Sequence, residues 1–124
     1  MYIAIDFDGT CVDHRYPDVG EDAPLAVQTM KELVADGHLL ILWTMRSGRF
    51  LSDANDWFKD RGIPLFGSQR NPTQDSWTIS PKCYAHVYID DAALGAPMIH
   101  PEGFTRPCIN WGAVSRKLLH VTSE

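Results

Sequence analysis

The chain has 124 residues, 44% of them apolar and 22% charged, with a formal net charge of −5. That length fits one compact domain and leaves little room for a second. The mixed, slightly acidic charge argues against a general nucleic-acid binder, which carries a basic face, although a nucleotide or a nucleic-acid end stays open as a substrate because a site needs only a few local cations.

The elements follow in chain order. Tyr2-Ile3-Ala4-Ile5 predicts a strand, closed by Asp6-Phe7-Asp8-Gly9-Thr10. Cys11 to Gly20 is polar, contains a proline, and reads as a loop. Leu25, Thr29, Met30, Leu33 and Val34 recur at helical spacing, with Pro24 in the first turn, Asp22 or Ala23 as the cap and Gly37 as the stop. His38 to Trp43 predicts a second strand, closed by Thr44-Met45-Arg46. Leu51, Ala54, Asn55 and Phe58 mark a second helix that ends before Gly62. Ile63 to Phe66 is a short apolar segment, and Gly67 to Pro81 is polar and irregular. Lys82 precedes a third apolar run, Ala85 to Ile89, which is closed by Asp90-Asp91. Trp111, Val114, Leu118 and Leu119 mark a third helix, with Asn110 as its N-cap.

Unbroken apolar runs of this length suit strands buried on both faces of a parallel sheet. Their alternation with helices predicts right-handed βαβ units in a Rossmann-like, doubly wound α/β domain spanning residues 1–124, with helices on both faces of the sheet. Ligands in such sheets bind beyond the carboxyl ends of the strands, so the polar residues closing each apolar run carry the functional information.

Cys11, Cys83 and Cys108 are odd in number and fit neither a disulfide framework nor a zinc cluster. They read as reduced thiols, and carboxylates near Cys11 would raise its pKa and blunt it as a nucleophile. Asp6 and Asp8 interrupt the first apolar run, so it does not read as a signal peptide. No segment approaches the length of a membrane span, and the expected location is the cytoplasm.

Two carboxylates at one strand tip, Asp6 and Asp8, can divide three tasks. One can attack phosphorus. The other can act as general acid and then base. Together they can hold Mg²⁺, a cation that prefers oxygen ligands. Alone, Asp-Gly is equally a common turn. Gly9 and Thr10 form the turn behind the acids and group with Thr44 and Arg46 as substrate-binding residues. The Thr44 hydroxyl can donate to a phosphoryl oxygen, and Arg46 can add charge-assisted bonds to the same group. Lys82 could neutralise both nucleophile and phosphate. Asp90 and Asp91 repel each other unless a cation is near, which makes a metal their natural partner.

Acids, a hydroxyl, a lysine and acids in that order resemble the four motifs of the haloacid dehalogenase (HAD) superfamily of aspartate-based phosphatases. Asp6-Phe7-Asp8-Gly9-Thr10 is similar to the first motif, Thr44 to the second, Lys82 to the third and Asp90-Asp91 to the fourth. The resemblance implies a phosphatase that uses Mg²⁺, with Asp6 as nucleophile and metal ligand and Asp8 as general acid/base. The Asp8 backbone carbonyl commonly reaches the metal in that family. Thr44 would hold a phosphoryl oxygen, and Lys82 would bridge phosphate and nucleophile. Asp90 and Asp91 would complete the metal site, with Asp91 as the favoured direct ligand. Thr44-Met45-Arg46 is also similar to the second motif of polynucleotide 3′-phosphatases.

Neither loop where the superfamily inserts cap domains is long enough here to fold as one, so the resemblance is to a capless member. An open site would admit a large or macromolecular substrate, or a neighbour in a homo-oligomer could cover it. His14, Arg15, Tyr16, Arg70 and Asn71 read first as solvated loop residues and second as substrate contacts. The remaining histidines lack ligand spacing. Three rivals stand beside this reading: a receiver-type phosphoacceptor domain, whose aspartate should follow the third strand, a non-catalytic binding module, which should lack one of the proposed residues, and a phosphotransferase or phosphomutase of the same superfamily, which mostly needs a cap to exclude water.

Overall fold

The computed structural model describes residues 1–119. Four strands, β1 (Tyr2–Ile5), β2 (Leu39–Leu42), β3 (Gly67–Ser68) and β4 (Val87–Ile89), form a parallel sheet in the order β3-β2-β1-β4. A short antiparallel pair, β5 (Met98–Ile99) and β6 (Cys108–Ile109), stands apart from it. The helices are α1 (Ala26–Ala35), α2 (Gly48–Asp60) and α3 (Trp111–Leu118).

Strand parity divides the core. Ile3, Ile5, Leu40, Leu42 and Ile89 share one cluster with Ala26, Met30 and Leu33 of α1, Ala54, Trp57 and Phe58 of α2, and Trp111 and Val114 of α3. The alternate residues, Ala4 and Ile41, join Cys83, Tyr2, Trp43, Phe66 and Ala85 in a second, smaller cluster. All three α-helices therefore cover one face, which corrects the expectation of helices on both. The second face lies under the irregular chain between β3 and β4, whose regular structure is a 3₁₀ turn at Pro72–Ser76.

That segment is too polar and proline-interrupted for an α-helix, and it satisfies its backbone with buried side chains instead. Asn71 and Gln74 form a reciprocal capping box. Gln74 donates to the carbonyls of Ser80 and Lys82 and accepts from the Tyr84 amide, while Asn71 donates to the Tyr84 carbonyl. Topology explains which face it covers. β1, β2 and β3 advance in one direction, so right-handed crossovers place α1 and α2 on the same face. The step from β3 back past β1 to β4 reverses direction and runs over the other face. The order thus switches between β1 and β4, the place where open α/β sheets bind ligands.

Local expectations fared unevenly. Asn110 caps α3 by accepting from the Ala113 amide, and Gly37, at φ 92°, follows the end of α1. The α1 cap differs: Leu25 holds the N-cap position at φ 65° with no side-chain bond. Asp22 instead accepts from Trp57 Nε1 and from Arg61, tying the loop before α1 to α2. Gly67–Ser68, read as loop, pairs with Ile41 and Leu42. No described helix is long and apolar enough to cross a membrane.

Candidate active site

The sheet brings the acid-bearing tips of β1 and β4 side by side. The Asp6 amide continues the ladder by donating to the Ile89 carbonyl at 3.0 Å, so Asp6 and Asp90 leave adjacent strands at the same level. Carboxylate oxygens of Asp6, Asp90 and Asp91 all lie within 4.8 Å of one another. Mg²⁺ holds oxygens at about 2.1 Å, so ligands on opposite sides of it stand about 4.2 Å apart, and the spacing fits.

Electrostatics point the same way. Burial, then the hydrogen bond with Asp91, then the charge of Asp90 push the Asp6 carboxyl from an ordinary 3.8 up to about 8. Acids crowded this closely call for a cation. Asp90 and Asp91 both belong to the trio, so proximity does not single out Asp91 as the direct ligand. Asp91 is also the more heavily engaged: His14 Nε2 lies 2.9 Å from its Oδ2, and the Thr10 hydroxyl lies 3.4 Å from its Oδ1.

Asp8 stands apart from this trio. Its two oxygens accept from Arg46 Nε and Nη2, each at 2.8 Å. Its side chain is thus not part of the acid trio. Arg46 is 1% exposed and lies between the rings of Phe7 and Tyr16. Its remaining donors go to the carbonyls of Pro17, Asp18 and Phe50. With every N–H engaged, Arg46 has none to offer a substrate. It orients Asp8 and pins the loop after β1, which corrects its reading as a substrate-binding residue.

Gly9 and Thr10 are likewise internal. The Gly9 amide donates to the Val12 carbonyl at 2.7 Å and the Thr10 amide to Phe7 at 3.1 Å. The fully buried Thr10 hydroxyl sits 3.3 Å from Asp6 Oδ2 and accepts from the Asp91 amide at 3.2 Å, locking the two strand tips together. Gly9 is required by space: at φ 81°, a Cβ there would meet His14 Nε2 at 2.0 Å and Asp91 Oδ2 at 2.4 Å. Neither residue presents a free group to a phosphate.

Thr44 fits its expected place beyond β2. Its hydroxyl accepts from the Arg46 amide at 3.1 Å and keeps its own hydrogen to donate. Gln69, in a left-handed conformation at φ 65°, clamps the Thr44 backbone through two 2.7 Å bonds, one to the amide and one to the carbonyl. Lys82 makes no ion pair with the acids among the described residues. It is exposed, with Nζ 5.4 Å from the centre of the Tyr88 ring.

Three participants escaped the sequence reading: Gln69, Arg106 and the clasp between Asp13 and Thr105. The buried Asp13 carboxylate accepts from the Thr105 amide and hydroxyl, and the same hydroxyl oxygen lies 3.0 Å from the His14 carbonyl. Burial works to raise the Asp13 carboxyl, but these bonds, with Arg15 and the His14 amide, hold it below its ordinary value. Arg106 Nη2 lies 3.0 Å from both ring nitrogens of His14. His14, expected as a solvated loop residue or a substrate contact, reaches Asp91 of the acid trio. Cys11 is buried, and burial followed by the charges of Asp6, Asp22 and Asp8 pushes its thiol far up, so it is a poor nucleophile.

No family model and no curated protein matches the sequence. A solved structure does: a conserved protein from Bacteroides thetaiotaomicron is 36% identical, with a TM-score of 0.78, over 98% of this chain and 93% of its own. The chain belongs to that protein's family. The kinship carries the fold, and the chemistry rests on the side chains above.

Proposed function

We propose that this chain is a Mg²⁺-dependent phosphatase that hydrolyses a phosphate monoester through an aspartyl-phosphate on Asp6, and that it is a small capless member of the HAD superfamily. The observation that supports this most is the separation of two carboxylates on one turn: Asp6 sits with Asp90 and Asp91, while Arg46 holds Asp8 apart from them. That separation supports assigning one acid to the metal and to attack, and the other to proton transfer.

In this reading an Asp6 oxygen attacks phosphorus as the ester P–O bond breaks, and Asp8 delivers its proton to the departing alcohol. Arg46 takes one lone pair on each Asp8 oxygen, which fixes the carboxyl and leaves a second lone pair to carry the proton toward the leaving group. A water then attacks phosphorus and gives its proton to Asp8, the P–O bond to Asp6 breaks, and inorganic phosphate leaves. The Thr44 hydroxyl donates to a phosphoryl oxygen, at a position fixed by Gln69. Mg²⁺ held by Asp6, Asp90 and Asp91 would offset the crowded negative charge and polarise the phosphoryl group. The three buried free cysteines fit a reducing compartment such as the cytoplasm.

A screen of sugar phosphates, nucleotides and 3′-phosphorylated oligonucleotides tests the reading. Phosphate release from at least one class is expected, lost with EDTA, restored by Mg²⁺ and abolished in Asp6→Asn. Undiminished turnover in Asp6→Asn, or no release from any class with Mg²⁺ present, would contradict it.

A further inference from the structure

Lys82 rests on the Tyr88 ring and pairs with no described carboxylate, and this leaves a charge problem. Among the described residues, the carboxylates of Asp6, Asp8, Asp90 and Asp91 pair with one arginine or lysine, Arg46, which is fully occupied by Asp8 and backbone carbonyls. A divalent ion would offset part of that charge, and an incoming phosphoryl group would bring more of the same sign. A second free cation at the mouth of the site would make the balance favourable.

Arg106 meets the description. It is exposed and makes no ion pair with a described carboxylate. Its Nη2 stands 3.0 Å from both ring nitrogens of His14, which places it against the ring rather than on one lone pair. His14 in turn lies 2.9 Å from Asp91, so Arg106 is one side chain removed from the acid trio. The strap that carries it is anchored on three sides. Thr105 is clasped by Asp13 and the His14 carbonyl. β6 pairs with β5. The Ile109 amide donates to the carbonyl of Gly9, in the turn after β1, at 3.1 Å. A guanidinium on such a strap is held near the acids, with outer N–H groups that bond to no described residue, in the planar fork that matches phosphate oxygens.

We propose that Arg106, leaning on His14 at the mouth of the acid cluster, is the substrate-binding cation that grips the phosphoryl group, the task the family resemblance gives to Lys82. The proposal rests on the phosphatase reading of the same site.

Binding of inorganic phosphate in the presence of Mg²⁺, measured by calorimetry on the full chain, tests it. Arg106→Ala is expected to weaken phosphate binding about tenfold or more, and Lys82→Ala to leave it within about twofold of wild type. Adding guanidinium to Arg106→Ala should restore part of the affinity, a rescue that a purely structural role would not give. Mg²⁺ affinity and melting temperature should stay unchanged. Arg106→Lys, which keeps the charge without the fork, should fall between and covers the case of an Ala variant that folds poorly. For any ester that is hydrolysed, the loss in Arg106→Ala should appear more in KM than in kcat. Wild-type phosphate binding or kcat/KM in Arg106→Ala, or their loss in Lys82→Ala instead, would overturn the assignment of Arg106 alone. A wild-type chain that binds no phosphate with Mg²⁺ and hydrolyses no ester would overturn the phosphatase reading, and this proposal with it.

Discussion

Arg46 and Asp8 meet through two parallel bonds of 2.8 Å, from Nε to Oδ2 and from Nη2 to Oδ1. The pair joins the tip of β2 to the turn after β1. Through the Pro17 and Asp18 carbonyls it also fixes the loop that borders the site. Arg46→Ala would strand Asp8 and leave those carbonyls without donors in a nearly dry setting, a loss on the order of 3 kcal/mol. Urea denaturation should read it as a lower midpoint. Arg46→Lys keeps the charge but not the fork. It should fold and lose activity mainly in kcat, by about a hundredfold, because Asp8 is no longer oriented for proton transfer.

The raised pKa of Asp6 predicts an unusual stability profile. Between its unfolded value of 3.8 and its folded value of about 8, the folded chain holds a proton that the unfolded chain has released. Without divalent cation the stability contributed by Asp6 is therefore present in acid and falls as pH rises through that window. Asp13 acts in the opposite sense, since its lowered pKa gives stability that is lost on strong acidification. Thermal melts in EDTA should show a melting temperature that declines from pH 5 toward pH 8. Mg²⁺ should raise it more at pH 8 than at pH 5, and Asp6→Asn should flatten the decline.

Gly9→Ala tests the packing of the turn. The added methyl must displace His14 and Asp91, and the backbone at φ 81° disfavours any side chain. A melting temperature several degrees lower is expected, together with weaker Mg²⁺ binding by calorimetry, because Asp91 is moved out of the trio. Unchanged Mg²⁺ affinity in a folded Gly9→Ala variant would show that Asp91 takes no part in holding the ion.

Much of this site could be read from the chain because its acids close apolar runs. Tyr2 to Ile5 and Ala85 to Ile89 announce buried strands, and parallel pairing then carries Asp6 and Asp90 to one edge. The partners of those acids were harder to read because no local pattern encodes them. Arg46 follows Thr44 by two residues, as a phosphate ligand would, and only the packing of Phe7 and Tyr16 about it turns it toward Asp8. Lys82 stands in the right order along the chain, yet it lies on an irregular segment ordered by Asn71 and Gln74, and there it settles on Tyr88. Arg106 lies 92 residues from the histidine it touches, in a strap with no periodicity at all. The second face of the sheet escaped for a similar reason: buried amides, not a helical stripe, hold its cover in place.

The central claim is that Asp6 takes the phosphoryl group. Once a hydrolysed ester is in hand, acid quenching during turnover with Mg²⁺, followed by peptide mass spectrometry, reads this directly. A phosphorylated peptide with the modification on Asp6 is expected, absent from Asp6→Asn and accumulating in a variant impaired at Asp8. A phosphoryl adduct on any other residue, or full turnover by Asp6→Asn, would contradict it.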